Sequence, residues 1–478
     1  MTDVHVTIRG RGDRADRIFA QLRSAILDGR LRPGERLLSS REMAARLSVS
    51  RNTVATAYDR LVSEGYLVSR IGAGTFVSRQ AMPADVHRRA PAAGLQPRHF
   101  WSAGGSVLMS TPAGAAYDFS VGTPDAGLFP LETWRRLVSR SLRPGGLGTG
   151  GYQSPAGNPR LRESIARQIG TSRSVRASAA DVIVTQGAQQ AFDMIGRVLI
   201  EPGDVVAVEE PGYPPVRRLF ELLGARVVPV PVDREGLTVD AIPSRARLAY
   251  VTPSHQFPLG SIMSLTRRTA LLEWAQRNDA AIIEDDYDSE YRYENRPLEP
   301  LQSLDAGGRV IYVGTLSKTL LPALRLGFVV APQSLQRALT DAKALADWQG
   351  DYATQAAAAA FIDGGLLARH IRKANREYAV RRRVLIDTVN EQLSDLLTLY
   401  PSAAGLHVCA RLSDQRIDAA QVAADAAELG VRVQSIAQFS TGVRPLAALA
   451  LGFGNIAREN IPDGLRLLGK ALKRAGKD

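Results

Sequence analysis

Lysine is almost absent from the first two-thirds of this chain. Of 60 lysines and arginines only six are lysines, and the first is Lys318. Cysteine is scarcer: a lone Cys409 excludes a disulfide framework and fits a reducing cytosol. No run approaches the roughly 18 apolar residues of a membrane span, and the opening MTDVHVTIRGRGDR lacks the apolar centre of a signal peptide. A cytoplasmic location is therefore expected. Hydrophobic residues at 45% and charged residues at 23% exclude a disordered chain. Its 478 residues exceed one ordinary core and imply two or three domains. The net charge of +12 favours a polyanionic partner, although an arginine-rich surface also arises from solubility alone.

What is present begins with a dense helical pattern. Ile18, Phe19, Leu22, Ala25 and Ile26 recur at helical spacing, and Asp28-Gly29 ends that run. Pro33-Gly34 marks a turn. Ser39 with Glu42 has the form of a capping box, opening a helix that buries Met43, Ala44 and Leu47. A further helix follows Ser50 and buries Val54, Ala57, Tyr58, Leu61 and Val62. Two short β runs around Ile71-Gly72-Ala73-Gly74 read as a hairpin. This order predicts a winged helix-turn-helix with its third helix in the major groove of double-stranded DNA. Residues 1–78 hold 13 arginines against eight acids, a net of +5. The expected DNA contacts are Arg41, Ser50, Arg51, Asn52, Thr53 and Thr56, with Arg70, Gly72 and Gly74 of the wing. A small protein-interaction module with a solvated basic face is the alternative. The segment resembles the GntR superfamily of transcription regulators through GRLRPGERL, SSREMAARLSVSRNTV, AYDRLVSEGYL and GAGTFV. Leu38 stands where many relatives have proline.

From residue 80 to 117 no period persists, and Pro, Ala, Gly and Arg mark a linker. Within it His87-Arg88-Arg89 is either a DNA contact or a solvated charge cluster. The expected domains are 10–79, the linker 80–117, and 118–478.

In the third segment short apolar runs alternate with helical stretches: DVIVTQG, VVAVEE, ARVVPVPVD, RLAYVTP, AAIIEDD, RVIYVGT and LGFVVAP. The alternation predicts a largely parallel α/β sheet covered on both faces, with ligands beyond the carboxyl ends of its strands. Gly187, Ala188 and Gln189 open a helix whose amides suit a phosphate. Asp285 ends a strand, where an isolated aspartate is more often a helix cap. Thr315, Ser317 and Lys318 follow another, with Arg325 seven residues beyond the lysine. Together they supply hydroxyls and a guanidinium for an anion, a carboxylate for a ring nitrogen, and a primary amine. Pyridoxal 5'-phosphate (PLP) requires this set, because arginine cannot form the Schiff base that its aldehyde demands. That chemistry accounts for a lysine at 318.

This region is similar to fold-type-I, aspartate-aminotransferase-like domains through FSVGTPDAGLFPLETWRR, YQSPAGNPRLRESIA, VTQGAQQAFD, VEEPGYPP, TPSHQFPLG, EDDYDSEYRY and GTLSKTLLPALRLGF. The fusion resembles the MocR/GabR subfamily of GntR regulators. The resemblance implies that Lys318 forms the internal aldimine, Asp285 pairs with the pyridinium, and Tyr287 bonds the phenolic oxygen. It further implies that Tyr213 stacks on the ring, that Gly187, Ala188, Gln189, Thr315, Ser317 and Arg325 hold the phosphate, and that Tyr152 reaches a partner subunit's phosphate. His255-Gln256-Phe257 replaces the Asn-Pro-x-Gly stretch of true aminotransferases, with His255 placed at the cofactor. Ala450 stands where an α-carboxylate arginine is usual, leaving Arg411, Arg432 or Arg444 as substitutes. No metal is expected.

The fold class implied is multidomain: a winged helix-turn-helix, mainly α with a β-hairpin wing, and an α/β aminotransferase-like PLP domain. The function implied is a homodimeric PLP-dependent transcription regulator sensing PLP or an amine. An active aminotransferase carrying a DNA-tethering domain is the alternative, and a structural DNA binder with a dead ligand domain is a third reading.

Overall fold

The computed structural model describes residues 13–79, 98–103, 114–146, 150–293, 299–442 and 445–476. The chain folds as two compact units, divided between Ala103 and Gly104.

In the first unit, α1 (Arg14–Leu27), α2 (Ser40–Leu47) and α3 (Arg51–Ser63) precede the hairpin β1 (Leu67–Arg70) and β2 (Gly74–Val77). Ile18, Leu22, Ala25, Val54, Ala57 and Leu61 close the core between the helices. The expected capping box is formed: Glu42 N donates to Ser39 Oγ at 3.2 Å and Ser39 N to Glu42 Oε2 at 2.9 Å. Both amides lie at a helix start, where no backbone carbonyl can reach them. The wing turns through Gly72 and Gly74, whose φ angles of +77° and +113° suit glycine.

The second unit is built on an eight-stranded sheet. Its strands are β4 (Val182–Thr185), β5 (Val205–Glu210), β6 (Arg226–Asp233), β7 (Gly236–Leu237), β8 (Ala246–Val251), β9 (Ala281–Asp286), β10 (Val310–Thr315) and β11 (Gly327–Val330). They lie in the order β4-β11-β10-β9-β8-β5-β6-β7. Strands β4, β9, β10 and β11 are buried along nearly their whole length because helices cover both faces. One expectation needs correction. LGFVVAP does not continue the parallel set, because β11 runs antiparallel between β4 and β10. The reason lies in the connection. Residues 316–326 hold only a single turn of 3-10 helix, too little for the crossover a parallel strand requires.

A second, four-stranded antiparallel sheet follows, β12 (Leu397–Leu399), β13 (His407–Leu412), β16 (Ala448–Gly452) and β15 (Gln434–Ser435) in that order. Beside it β3 (Tyr117–Asp118) pairs in parallel with β14 (Val431–Arg432). Helices Leu366–Gln392, Ala419–Glu428 and Ile461–Ala475 pack on these strands around Phe119, Leu385, Val422, Leu449 and Leu465. Sequence periodicity did not reveal this sheet, whose strands are short and distant in sequence.

Candidate functional site

Of the residues expected to meet DNA, most on the second and third helices are exposed. Arg41 at the start of α2 and Arg51, Asn52 and Thr56 at the start of α3 are exposed. Ser50 and Thr53 are engaged locally: Ser50 caps α3 by accepting from Thr53 N at 3.1 Å, and the two hydroxyls lie 2.8 Å apart. Thr56 Oγ1 donates to the Asn52 carbonyl at 3.0 Å. The Arg70 guanidinium rests over the Phe76 ring, 5.3 Å from its centre. Ile71, fully exposed at the wing tip, was not among the expected DNA contacts. The candidate linker contacts His87, Arg88 and Arg89 lie outside the described residues.

In the second unit the site gathers at strand ends, and the pleat sorts two neighbouring acids. Asp285 and Asp286 are consecutive on β9, so their side chains turn to opposite faces. Asp286 meets Arg173 at 2.8 Å and accepts from Tyr312 at 2.6 Å. Burial works against its charge, yet Arg173 holds its carboxyl below the ordinary range. Asp285 accepts from Tyr250 at 2.6 Å, while its Oδ1 is buried with no partner. Burial pushes its carboxyl up to about 7, against the Tyr250 hydrogen bond. Tyr250 carried no motif. Its position on β8, the neighbouring strand, was the available clue.

Lys318 follows β10. Its Nζ donates to the Gly122 carbonyl at 2.5 Å, and the Tyr291 hydroxyl donates to its backbone carbonyl at 2.9 Å. Burial pushes the amine's pKa down, Asp288 and Asp285 oppose that shift, and Arg325 adds to it. The lysine, Asp285 and Arg325 are thus electrostatic neighbours, as the residue types implied. Arg325 donates to the Gln186 carbonyl at 2.9 Å and crosses Gly187, where an added Cβ would stand 3.0–3.2 Å from the guanidinium. Gly187 caps the helix Ala188–Leu199 without a side chain, leaving the first-turn amides of Ala188 and Gln189 uncapped by one. Thr315 Oγ1 donates to Ser317 Oγ at 3.0 Å. A guanidinium thus lies against a bare helix start, an arrangement that would suit an oxyanion group.

Tyr213 is set edge-on to Phe257 at 5.8 Å, and burial pushes its phenol up to about 12. Tyr287 Oη lies 3.0 Å from His255 Nδ1, so His255 meets the site through Tyr287. Gln256 Nε2 donates to the Pro211 carbonyl at 2.9 Å and to the Phe257 carbonyl at 2.6 Å. The His255-Gln256-Phe257 stretch is therefore folded into the protein's own network. Tyr152 is exposed and packs on Trp348 at 5.4 Å. Ala450 on β16 sits among Phe257, Cys409, Ile436 and Phe439, an apolar surrounding with no guanidinium among those four. Of the candidate replacements, Arg411 is exposed, Arg432 pairs with Asp118 at 3.1 Å, and Arg444 lies outside the described residues.

PLP fits this donor set: the unpartnered Asp285 Oδ1 would offer an acceptor to a ring nitrogen, and Arg325 beside the Gly187 turn would suit a phosphate. Among the described residues no helix is long and apolar enough to cross a membrane.

Comparison with known proteins agrees with both halves. Residues 116–447 match the family aminotransferase class I and II, and residues 14–77 match bacterial regulatory proteins, gntR family. The chain is 38% identical over 464 residues to the probable rhizopine catabolism regulatory protein MocR of Rhizobium meliloti, covering 95% of this chain and 93% of the relative. It is 33% identical over 440 residues to the HTH-type pyridoxine biosynthesis transcriptional regulator PdxR of Corynebacterium glutamicum, covering 91% and 90%. The fold resembles that of Pyrococcus horikoshii kynurenine aminotransferase, with a TM-score of 0.70 and 28% identity over 76% of this chain and 92% of that one.

Proposed function

The chain belongs to the MocR branch of the gntR family of regulators, a winged helix-turn-helix joined to a PLP-type aminotransferase domain, and on that premise we propose how its site works. It is a DNA-binding transcription regulator whose cofactor is PLP. The domain limits proposed are 10–79 and 118–478. Lys318 holds the cofactor, Asp285 receives its ring nitrogen, Tyr213 lies against its ring, and Tyr287 serves its phenolic oxygen. Gly187, Ala188, Gln189, Thr315, Ser317 and Arg325 take the phosphate. Bound there, PLP supplies an aldehyde for amine chemistry and an electron-withdrawing ring.

The effector is PLP itself or a primary amine. A second copy of the chain completes the assembly, with exposed Tyr152 directed to it. On DNA, Arg51 and Asn52 meet base edges while Arg41 and Arg70 meet phosphates. What supports sensing over turnover is Ala450, a small apolar side chain packed with Phe257, Cys409, Ile436 and Phe439 where an α-carboxylate arginine is usual, beside residues that suit PLP. An aminotransferase needs a repeated grip on amino and keto acids, and the usual arginine for that grip is replaced here. The test pairs two assays on one preparation. Footprinting on the chain's own upstream DNA should show a protected site that Arg51→Ala loses. Steady-state assay with amino donors and keto-acid acceptors should show no multiple turnover. Sustained turnover without protection would favour the enzyme carrying a DNA tether.

A further inference from the structure

Behind Tyr287 stands a buried hydrogen-bond relay that the cofactor assignment does not use. His255 Nδ1 lies 3.0 and 3.1 Å from the two oxygens of Asp288 and 3.0 Å from Tyr287 Oη. Proton positions follow from groups that can only accept. Ser402 Oγ lies 3.1 Å from both His255 Nε2 and the Ala404 carbonyl, so its hydrogen can serve either one. Nδ1 faces a carboxylate at hydrogen-bond distance, and a bare nitrogen lone pair against a carboxylate would repel it. One proton must lie between His255 and Asp288. Whichever atom holds that proton, the single in-plane direction of Nδ1 is occupied, and the Tyr287 hydrogen is left to point elsewhere.

The neighbours keep the pair in place. Leu406 N donates to Asp288 Oδ2 at 3.3 Å. At Gly405, with φ +79°, an added Cβ would collide with the His255 ring at 2.1 Å and Asp288 Oδ2 at 2.5 Å. His407, whose ring centre lies 4.7 Å from that of His255, donates from Nε2 to the Pro258 carbonyl at 3.1 Å. Burial pushes His407 down to about 3, so it adds no positive charge. His255, Asp288 and His407 have ligand-type atoms within 4.8 Å of one another, but those of His255 and Asp288 are engaged with each other.

We propose that Asp288, acting through His255, is a positioning residue for Tyr287: it occupies the imidazole nitrogen that would otherwise capture the Tyr287 hydrogen, leaving that hydrogen to donate to the phenolic oxygen of PLP. This rests on the assignment of Tyr287 to that oxygen.

The test reads the midpoint of the pH-dependent change in the cofactor's visible absorption, using full-length protein loaded with PLP. The charged and titratable groups facing Tyr287 and Lys318 are Asp285, Asp286, Asp288, Glu209, Arg325, His255 and His407. A donor on the phenolic oxygen draws electron density from the ring and lowers the proton affinity of the Lys318 nitrogen. Tyr287→Phe removes the donor and should raise the midpoint. Asp288→Ala should raise it too, by about one pH unit, because Tyr287 then turns to His255. Added to Tyr287→Phe, Asp288→Ala should raise it no further. Asp288→Leu, which fills the space of the lost carboxylate, replaces Asp288→Ala where the latter does not fold. Simple removal of a negative charge near Lys318 has the opposite sign, a lower midpoint. A fall or no change in the Asp288 variants, with Tyr287→Phe raised, overturns the relay alone. An unmoved Tyr287→Phe overturns the assignment of Tyr287 and the relay with it.

Discussion

Asp285 sets the pH behaviour of the cofactor-free site. One oxygen is held by Tyr250, the other has no partner, and burial raises the carboxyl from 3.8 to about 7. Buried Glu209, Glu284 and Glu290 are raised to about 7 in the same way. An acid whose folded pKa exceeds its unfolded one holds its proton more firmly in the native state. Its contribution is complete below the unfolded value and is lost as pH rises through the folded one. PLP-free protein should therefore melt at progressively lower temperature as pH rises from about 4 through about 7. Asp285→Asn should lessen that slope, and so should PLP, whose ring nitrogen gives Oδ1 a partner. Differential scanning calorimetry across this range checks both. A slope in Asp285→Asn equal to that of the wild type would contradict the account.

At the scale of elements, the proposed phosphate corner depends on a helix start that must stay bare. Gly187 has φ +78°, and its missing Cβ leaves the gap that Arg325 crosses. Gly187→Ala combines a strained backbone with a displaced guanidinium, and should weaken PLP binding by about fivefold or more, from about 1–3 kcal/mol of strain. Equilibrium titration of PLP measures this, and unchanged affinity would remove the turn from the site. Elements of this local kind were legible in the sequence. The capping box at Ser39 and Glu42, the wing glycines and the Gly187 turn each rest on residues within a few positions. What depends on distant pairing was not legible. Strand β11 reverses direction because of what lies on either side of it, and the four-stranded sheet joins strands from 397 to 452. The relay behind Tyr287 has the same character: His255 and Ser402 are 147 residues apart, and no periodicity links them. Lys318 drew attention on different grounds, the rarity of its residue type, before any contact was known.

For the whole molecule, the central claim is that cofactor occupancy at Lys318 alters DNA binding, which makes the two sites a coupled pair with one free energy between them. The second unit carries PLP chemistry and the first carries the DNA face, and neither explains the fusion alone. A coupling of 1–3 kcal/mol, on the order typical of such proteins, appears as roughly a five- to 150-fold change in affinity. The most direct measurement is a gel-shift titration of the pure full-length protein on its own upstream DNA, with and without PLP, beside a Lys318→Ala variant. A PLP-dependent change in affinity for the wild type, absent in Lys318→Ala, is the predicted result. Equal affinity of the wild type with and without PLP, at a DNA site it demonstrably binds, would contradict it.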